Sequence, residues 1–129
     1  MRSKVITALR SLGAMAVENS AMPGTPDVYY MHGWIELKEC DAWPKRPETP
    51  LRLPHFSKQQ RFWLTHHAHL GGTCFVLLKV GKLEWFLLDG KTASDRLGYS
   101  TQSEIREQAS LTFTEGFNSK ELLTWLTSN

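Results

Sequence analysis

The sequence has few cysteines and no long apolar run, and both absences narrow its class. Cys40 and Cys74 are the two cysteines among 129 residues. Two are too few for the disulfide framework of a small secreted domain or for a zinc site built from cysteine pairs. No apolar stretch approaches the ~20 residues that span a bilayer, and the first residues are amphipathic, unlike a signal peptide. We therefore expect a cytoplasmic protein with no membrane partner.

The sequence also has little excess charge of either sign, but its basic residues are unevenly distributed. The formal net charge is +2 at pH 7, which does not by itself indicate a nucleic-acid-binding protein. Between positions 45 and 61, however, Glu48 is the single acid. The same block contains His55 and the basic residues Lys45, Arg46, Arg52, Lys58 and Arg61. The block is either a surface that binds a phosphate backbone or a solvated loop, and the sequence leaves both open.

Length and hydrophobic periodicity predict one globular domain, residues 1–129, of helices and strands. Apolar residues at helical spacing end at Gly13, which predicts a first helix of about ten residues. Ser57 is a typical N-cap for a helix that ends at Gly71-Gly72. Four prolines between positions 41 and 56 predict an irregular loop. Strands are predicted at 14–19, 28–31, 34–39, 73–80 and 83–88, and further helices at 101–109 and 119–126.

Three ionisable residues lie on, or directly before, the hairpin predicted for residues 28–39. Asp27 precedes its first strand, and Glu36 and Lys38 alternate with apolar residues on its second, so that they point away from the core. His32-Gly33 is the predicted turn, where glycine can adopt a positive φ. Two carboxylates that converge at one edge are costly unless a cation lies between them. A hard, oxygen-binding ion such as Mg²⁺ is the expected cation.

Pro26-Asp27 followed by Glu36-Leu37-Lys38 resembles the PD-(D/E)xK nuclease motif. Gly24-Thr25-Pro26-Asp27 before the hairpin and Ser57-Lys58-Gln59-Gln60 at a helix start are similar to the VRR-NUC and archaeal Holliday-junction-resolvase branch. The likeness covers about residues 1–80, and residues 81–129 are expected to add a strand and C-terminal helices. The resemblance implies an α/β fold with a restriction-endonuclease-like core of helix, three-stranded meander, helix and strand, in which helices flank a mixed central sheet.

The resemblance also implies metal-dependent hydrolysis of phosphodiester bonds. Asp27 and Glu36 would hold Mg²⁺, with Mn²⁺ as its substitute, helped by the backbone carbonyl of Leu37. Lys38 would orient the attacking water or stabilise the developing charge. An amide cannot supply the anionic charge and arginine cannot give up a proton, so each role needs its residue type. No organic cofactor is expected. The alternative is a surface ion pair, because Glu-x-Lys is a common pattern.

Two further features bear on the predicted site. In the resembling family a glutamine in the first turn of the helix lies beside the catalytic lysine, which favours Gln60 over Gln59, although Ser57-x-x-Gln60 is also a capping box. Related nucleases often present an acidic metal ligand from the first helix, and residues 2–12 contain no acid. Glu18 is the nearest substitute, and Ser20 could match the serine that some resolvases place near the metal. Without either, one metal ion is favoured over two.

Other conspicuous residues have simpler interpretations. His66, His67 and His69 crowd one predicted helix, but zinc ligands on a helix need further partners, so a polar helix face is predicted. Trp43 and Trp85 are predicted to pack in the protein and not to stack on bases. The apolar residues of the C-terminal segment either close the core or form a dimer contact.

The sequence leaves three functions open. The first is a metal-dependent DNA endonuclease selective for branched or junction DNA, expected as a homodimer because a two-fold substrate suits a two-fold enzyme. The second is the same chemistry in a nicking, flap-directed or sequence-specific nuclease. The third is a non-catalytic DNA-binding module on the same fold. By analogy, a core of this size also suits a phage protein that acts in the host cytoplasm.

Overall fold

A single six-stranded sheet organises the chain. The computed structural model describes residues 1–19 and 21–128. The strands are Met15–Ala16 (β1), Val28–Tyr30 (β2), Gly33–Cys40 (β3), Cys74–Val80 (β4), Glu84–Asp89 (β5) and Leu111–Phe113 (β6). The helices are Arg2–Ala8 (α1), Lys58–His69 (α2), Gly90–Arg96 (α3), Gln102–Gln108 (α4) and Ser119–Ser128 (α5), and a 3-10 turn, Arg10–Leu12, follows α1. In this described part, no helix has the length and apolar character needed to cross a membrane.

The strands pair in the order of the chain, β1 to β6, and one pairing differs in direction from the others. β3 and β4 are parallel, with Leu37 opposite Leu77, whereas the remaining neighbours are antiparallel. Two parallel strands need a crossover connection, and the loop after β3 together with α2 provides it. The order helix, three strands, helix, strand is therefore the order that periodicity predicts, although β1 is shorter than the strand expected at 14–19.

Apolar residues cover both faces of the sheet. Phe75 and Leu77 of β4 pack into a cluster with α1 and α5, and Val76 and Leu78 pack into a second cluster with α2, α3 and α4. Side chains of a strand alternate between faces, so a strand buried on both sides has the continuous apolar run seen at 74–78. The C-terminal residues Leu122 and Leu126 belong to the first cluster, which assigns them to the core.

The hairpin between β2 and β3 turns one residue earlier than the sequence suggests. Tyr30 pairs with Gly33, so the two turn residues are Met31 and His32. Gly33 is not among the glycines with positive φ. Instead, a Cβ on Gly33 would lie 2.4 Å from the carbonyl oxygen of Thr73. The expectation that Gly33 supplies a left-handed turn conformation is wrong, because the glycine allows the chain entering β4 to approach β3 closely.

Two C-terminal elements have no counterpart in the sequence prediction. In α3, the side chain of Asp89 caps the helix by accepting from the backbone N–H groups of Lys91 at 3.0 Å and Thr92 at 3.1 Å. The short strand β6 adds to the edge of β5, with Phe113 opposite Trp85. Both elements are short, and whether a short helix or strand forms depends more on its tertiary contacts than on the propensity of its residues.

Candidate active site

Asp27 is held at the point where the pairing of β2 with β3 stops. The backbone pairing ends at Val28 opposite Ile35. Beyond it, Asp27 Oδ2 accepts a hydrogen bond of 2.9 Å from the backbone N–H of Leu37. A side chain thus replaces the next bond of the ladder, and the Asp27 carboxylate is fixed beside the β3 residues that follow Ile35.

Glu36 is a buried carboxylate next to Asp27. Its exposed fraction is 2%, and its Oε2 lies 3.3 Å from Lys38 Nζ. Burial, and next the charge of Asp27 and a hydrogen bond between the two carboxyl groups, raise the pKa of Glu36 to about 8, although Lys38 opposes the rise. Charging both carboxylates at once is therefore costly unless a cation joins them.

Lys38 is buried and its ammonium group is fully engaged. Its exposed fraction is 5%. Besides the contact with Glu36, Nζ donates to Gln60 Oε1 at 2.9 Å and to the backbone carbonyl of His55 at 3.1 Å. An ammonium group has three N–H donors, and these partners match that number. The lysine charge is thus fixed in position next to the carboxylates.

Gln60 connects the start of α2 to Lys38. The capping box is complete, because Ser57 Oγ accepts from Gln60 N at 3.1 Å and Gln60 Oε1 accepts from Ser57 N at 3.0 Å. The same Oε1 also accepts from Lys38. The two interpretations of Gln60 therefore coexist in the geometry, since one amide oxygen both caps the helix and contacts the lysine.

Gly24 brings the segment before Asp27 against the first turn of α2. Its φ is +91°, and a Cβ at this position would lie 2.4 Å from the carbonyl oxygen of Gln59. A side chain here would meet both a strained backbone and a backbone atom. This close approach places Asp27 and Gln60 on the same side of β3.

The donor set of the site suits a small, hard cation that keeps several water ligands. Asp27 and Glu36 supply carboxylate oxygens, and the Leu37 carbonyl faces the same edge, because the N–H and C=O of an extended residue point the same way. Mg²⁺ is usually bound by one or two carboxylates with water in its other positions. The raised pKa of Glu36 next to Asp27 is a further sign that these oxygens suit a cation.

Glu18, the acidic ligand expected from the sequence, is not brought into this site. Across residues 1–19 and 21–128, no group of three or more His, Cys, Asp or Glu residues could hold a metal ion. Glu18 therefore does not complete a three-residue group with Asp27 and Glu36; its exposed carboxylate lies 3.5 Å from Arg2 Nη1. Ser20 lies outside the described residues.

The proline-rich loop presents most of the basic block at the surface. The side chains of Lys45, Arg46, Arg52 and Lys58 are exposed. His55 is also exposed, and burial and the neighbouring Lys38 lower the pKa of its ring. Three apolar residues of the loop are buried in the core and anchor it there, namely Leu51, Leu53 and Phe56.

Arg61 is placed differently from the other basic residues. It is half-buried, and its guanidinium donates to the carbonyl of Ser94 at 2.8 Å and to the carbonyl of Phe56 at 3.3 Å. The same group lies 4.2 Å from the centre of the Phe56 ring. These contacts join α2 to the loop and to α3, and a contact between Arg61 and DNA stays a prediction.

Trp43 packs inside the protein, as its sequence context indicates. Its Nε1 donates to Glu84 Oε1 at 2.7 Å, and its ring lies edge-on to Phe86 at 5.6 Å. Two contributors to the site were not predicted, the His55 carbonyl and the Phe56 ring, which lies 5.3 Å from Lys38 Nζ. A backbone carbonyl in an irregular loop leaves no pattern in the sequence, so only the fold could reveal it.

Comparison with known proteins bears on the fold. No family model and no curated protein sequence matches the chain. Among solved structures, the chain is similar to Hjc, a Holliday junction resolvase from the archaeal hyperthermophile Archaeoglobus fulgidus, with a TM-score of 0.51 and 21% sequence identity. The match covers 84% of this chain and 90% of that chain. The likeness confirms the predicted α/β architecture, although it does not test the VRR-NUC branch. The chain therefore has the restriction-endonuclease-like fold that this archaeal resolvase also has.

Proposed function

We propose that this protein is a Mg²⁺-dependent endonuclease that hydrolyses phosphodiester bonds in branched or junction DNA. The observation that carries the proposal is the half-buried Asp27 next to the buried Glu36 and the buried, fully engaged Lys38. A stability role alone does not favour such an arrangement, because buried charges cost free energy that apolar side chains would not. Buried ionisable groups with shifted pKa values are common in active sites.

Each residue has a role that follows from its chemistry. Asp27, Glu36 and the Leu37 carbonyl would hold the cation, which polarises a phosphoryl oxygen and lowers the pKa of a bound water. Lys38 offers a fixed positive charge near the phosphate as negative charge develops. Gln60 keeps the lysine in place through the bond of 2.9 Å between Oε1 and Nζ. The buried surroundings strengthen these interactions by excluding water.

Selectivity for branched DNA rests on the similarity in fold to the archaeal resolvase and on the exposed basic loop. Lys45, Arg46 and Arg52 are exposed on the loop that directly follows β3, the strand that carries Lys38, and we propose that a phosphate backbone passes there to reach the site. Because a four-way junction has two equivalent strands to cut, we propose a homodimer with two active sites. Light scattering on the purified protein measures its oligomeric state. A protein that is monomeric both with and without DNA would contradict the homodimer.

A cleavage panel tests the proposed activity. Four-way junction, flap, nicked and plain duplex DNA are incubated with the protein in Mg²⁺, Mn²⁺ or EDTA, alongside Asp27→Asn and Lys38→Ala. Lys120→Ala is the matched control, because Lys120 is an exposed lysine on α5, away from β3. We expect metal-dependent cutting of the junction, loss in the two site variants and no loss in the control.

The panel also separates the alternatives. Cutting of flap or nicked DNA in preference to the junction would assign the same chemistry to a different substrate. DNA binding without cutting in either metal would favour the non-catalytic binding module. Site variants that cut as well as the control would contradict the catalytic assignment altogether.

A further inference from the structure

The outward face of α2 carries aromatic and apolar side chains in contact with solvent. Phe62 is 68% exposed and Leu70, just after the helix, is 70% exposed. The Phe62 and His66 rings are stacked, with centroids 5.6 Å apart and planes 10° apart. Large apolar side chains clustered on a surface mark interaction sites more often than isolated ones do.

These side chains border a groove of about 600 Å³ between α2 and the segment before Asp27. Met22, which is 56% exposed, and Pro23 form the opposite wall. Lys58 and Gln59 line the groove at the start of α2. Because Gln60 follows directly and contacts Lys38, this groove, here called the aromatic groove, opens close to the candidate active site.

The charges around the aromatic groove favour an anionic partner. The helix Lys58–His69 contains a lysine, an arginine and three histidines but no acid, and no acid lines the groove. A symmetric contact between two copies of this groove would place Lys58 in an interface to which neither groove brings an acid, and an unpaired charge there is unfavourable. A nucleic acid supplies negative phosphates and flat bases to the same surface.

We propose that the aromatic groove binds an unpaired nucleobase of the DNA that the enzyme cuts. Phe62 stacks on the base and Lys58 contacts an adjacent phosphate. Stacking on an aromatic side chain does not depend on which base is present, so the groove selects DNA whose bases are unpaired at a branch. This inference rests on the proposed nuclease function and assigns part of its substrate selectivity to α2.

Fluorescence with 2-aminopurine tests the groove. The base analogue is placed in single-stranded DNA and at an unpaired branch position, and binding is measured in EDTA so that no cutting occurs. We expect wild type and Phe62→Trp to quench the fluorescence, and Phe62→Ala to weaken binding by about tenfold. Leu83→Ala is the matched control, since Leu83 is 57% exposed and lies between β4 and β5, not on α2.

The outcomes distinguish this inference from the proposed function. Binding and quenching that are the same in Phe62→Ala and Leu83→Ala would overturn the stacking role even if the protein cuts junctions. Loss of a dimer in Phe62→Ala, with quenching retained, would make the groove a contact between copies and also overturn it. Quenching that depends on Phe62 in a protein that cuts no DNA would support the groove and remove the nuclease function alone.

Discussion

Glu36→Gln is expected to stabilise the metal-free protein above neutral pH while abolishing cleavage. Glu36 is buried, and burial and Asp27 raise its pKa from 4.5 to about 8. The amide has nearly the same shape, can still accept from Lys38, and carries no charge that must be desolvated. A residue that stabilises the fold would show the opposite effect on replacement.

The size of the effect follows from the two pKa values. Between pH 4.5 and about 8, the folded protein keeps the Glu36 proton that the unfolded chain has released. Stability therefore falls as pH rises through this window, by about 1.4 kcal/mol per pH unit, and is flat on either side of it. At pH 7 the loss from this group is about 3 kcal/mol relative to pH 4.5. Glu36→Gln removes this loss.

Urea denaturation in EDTA at pH 5, 6, 7 and 8 measures the difference between the two proteins. The stability advantage of Glu36→Gln should be small at pH 5 and grow steadily to pH 8. Saturating Mg²⁺ should restore wild type at pH 8 and leave the variant unchanged, because the ion replaces the proton on the carboxylate pair. Glu115→Gln, at an exposed glutamate, is the control and should follow wild type. Parallel pH curves for wild type and Glu36→Gln would refute the reasoning.

Five other replacements separate the roles of neighbouring residues. Lys38→Ala should reduce cleavage at least about a hundredfold while DNA binding in a gel-shift assay stays within twofold. Ser57→Ala and Gln60→Ala should each cost about 1 kcal/mol in thermal unfolding from the lost cap, but Gln60→Ala should lower the cleavage rate more, because it alone removes a Lys38 partner. Arg61→Gln should lower the melting temperature and leave the salt dependence of DNA binding unchanged, whereas Arg46→Gln should reduce the slope of that dependence by about one. Equal cleavage by the two cap variants, or a reduced slope in Arg61→Gln, would contradict these assignments.

The core strands were predictable because a buried strand requires apolar residues in a regular pattern. Residues 74–80 lie against apolar clusters on both faces of the sheet, and this gives the continuous apolar run that marks a buried strand. On β3, Ile35 packs into the core while Glu36 and Lys38 face the other way, as alternation requires. The short strands β1 and β6 carry no such pattern, since each has at most three residues.

The candidate site was predictable where its residues share an element and less so where they meet across the fold. Glu36 and Lys38 are two positions apart on one strand, so alternation alone brings them together. The contact of Gln60 with Lys38 spans 22 positions, and it entered the prediction through family resemblance and not through periodicity. The contacts of Arg61 with Phe56 and Ser94 carry no signal in the sequence, because they are set by the direction in which α2 turns the side chain.

The first turn of α2 contacts both the candidate site and the segments that surround it. Gly24 packs on the Gln59 backbone, Gln60 holds Lys38, and Arg61 joins the proline-rich loop to α3. Three consecutive residues thus connect the Asp27 segment, the lysine and the basic loop. Because the capping box fixes the direction of this turn, the position of Lys38 relative to the carboxylates depends on how the helix begins. The helix start is therefore the part of α2 that contacts the site, whereas Leu64, further along the helix, contacts the apolar core of the sheet.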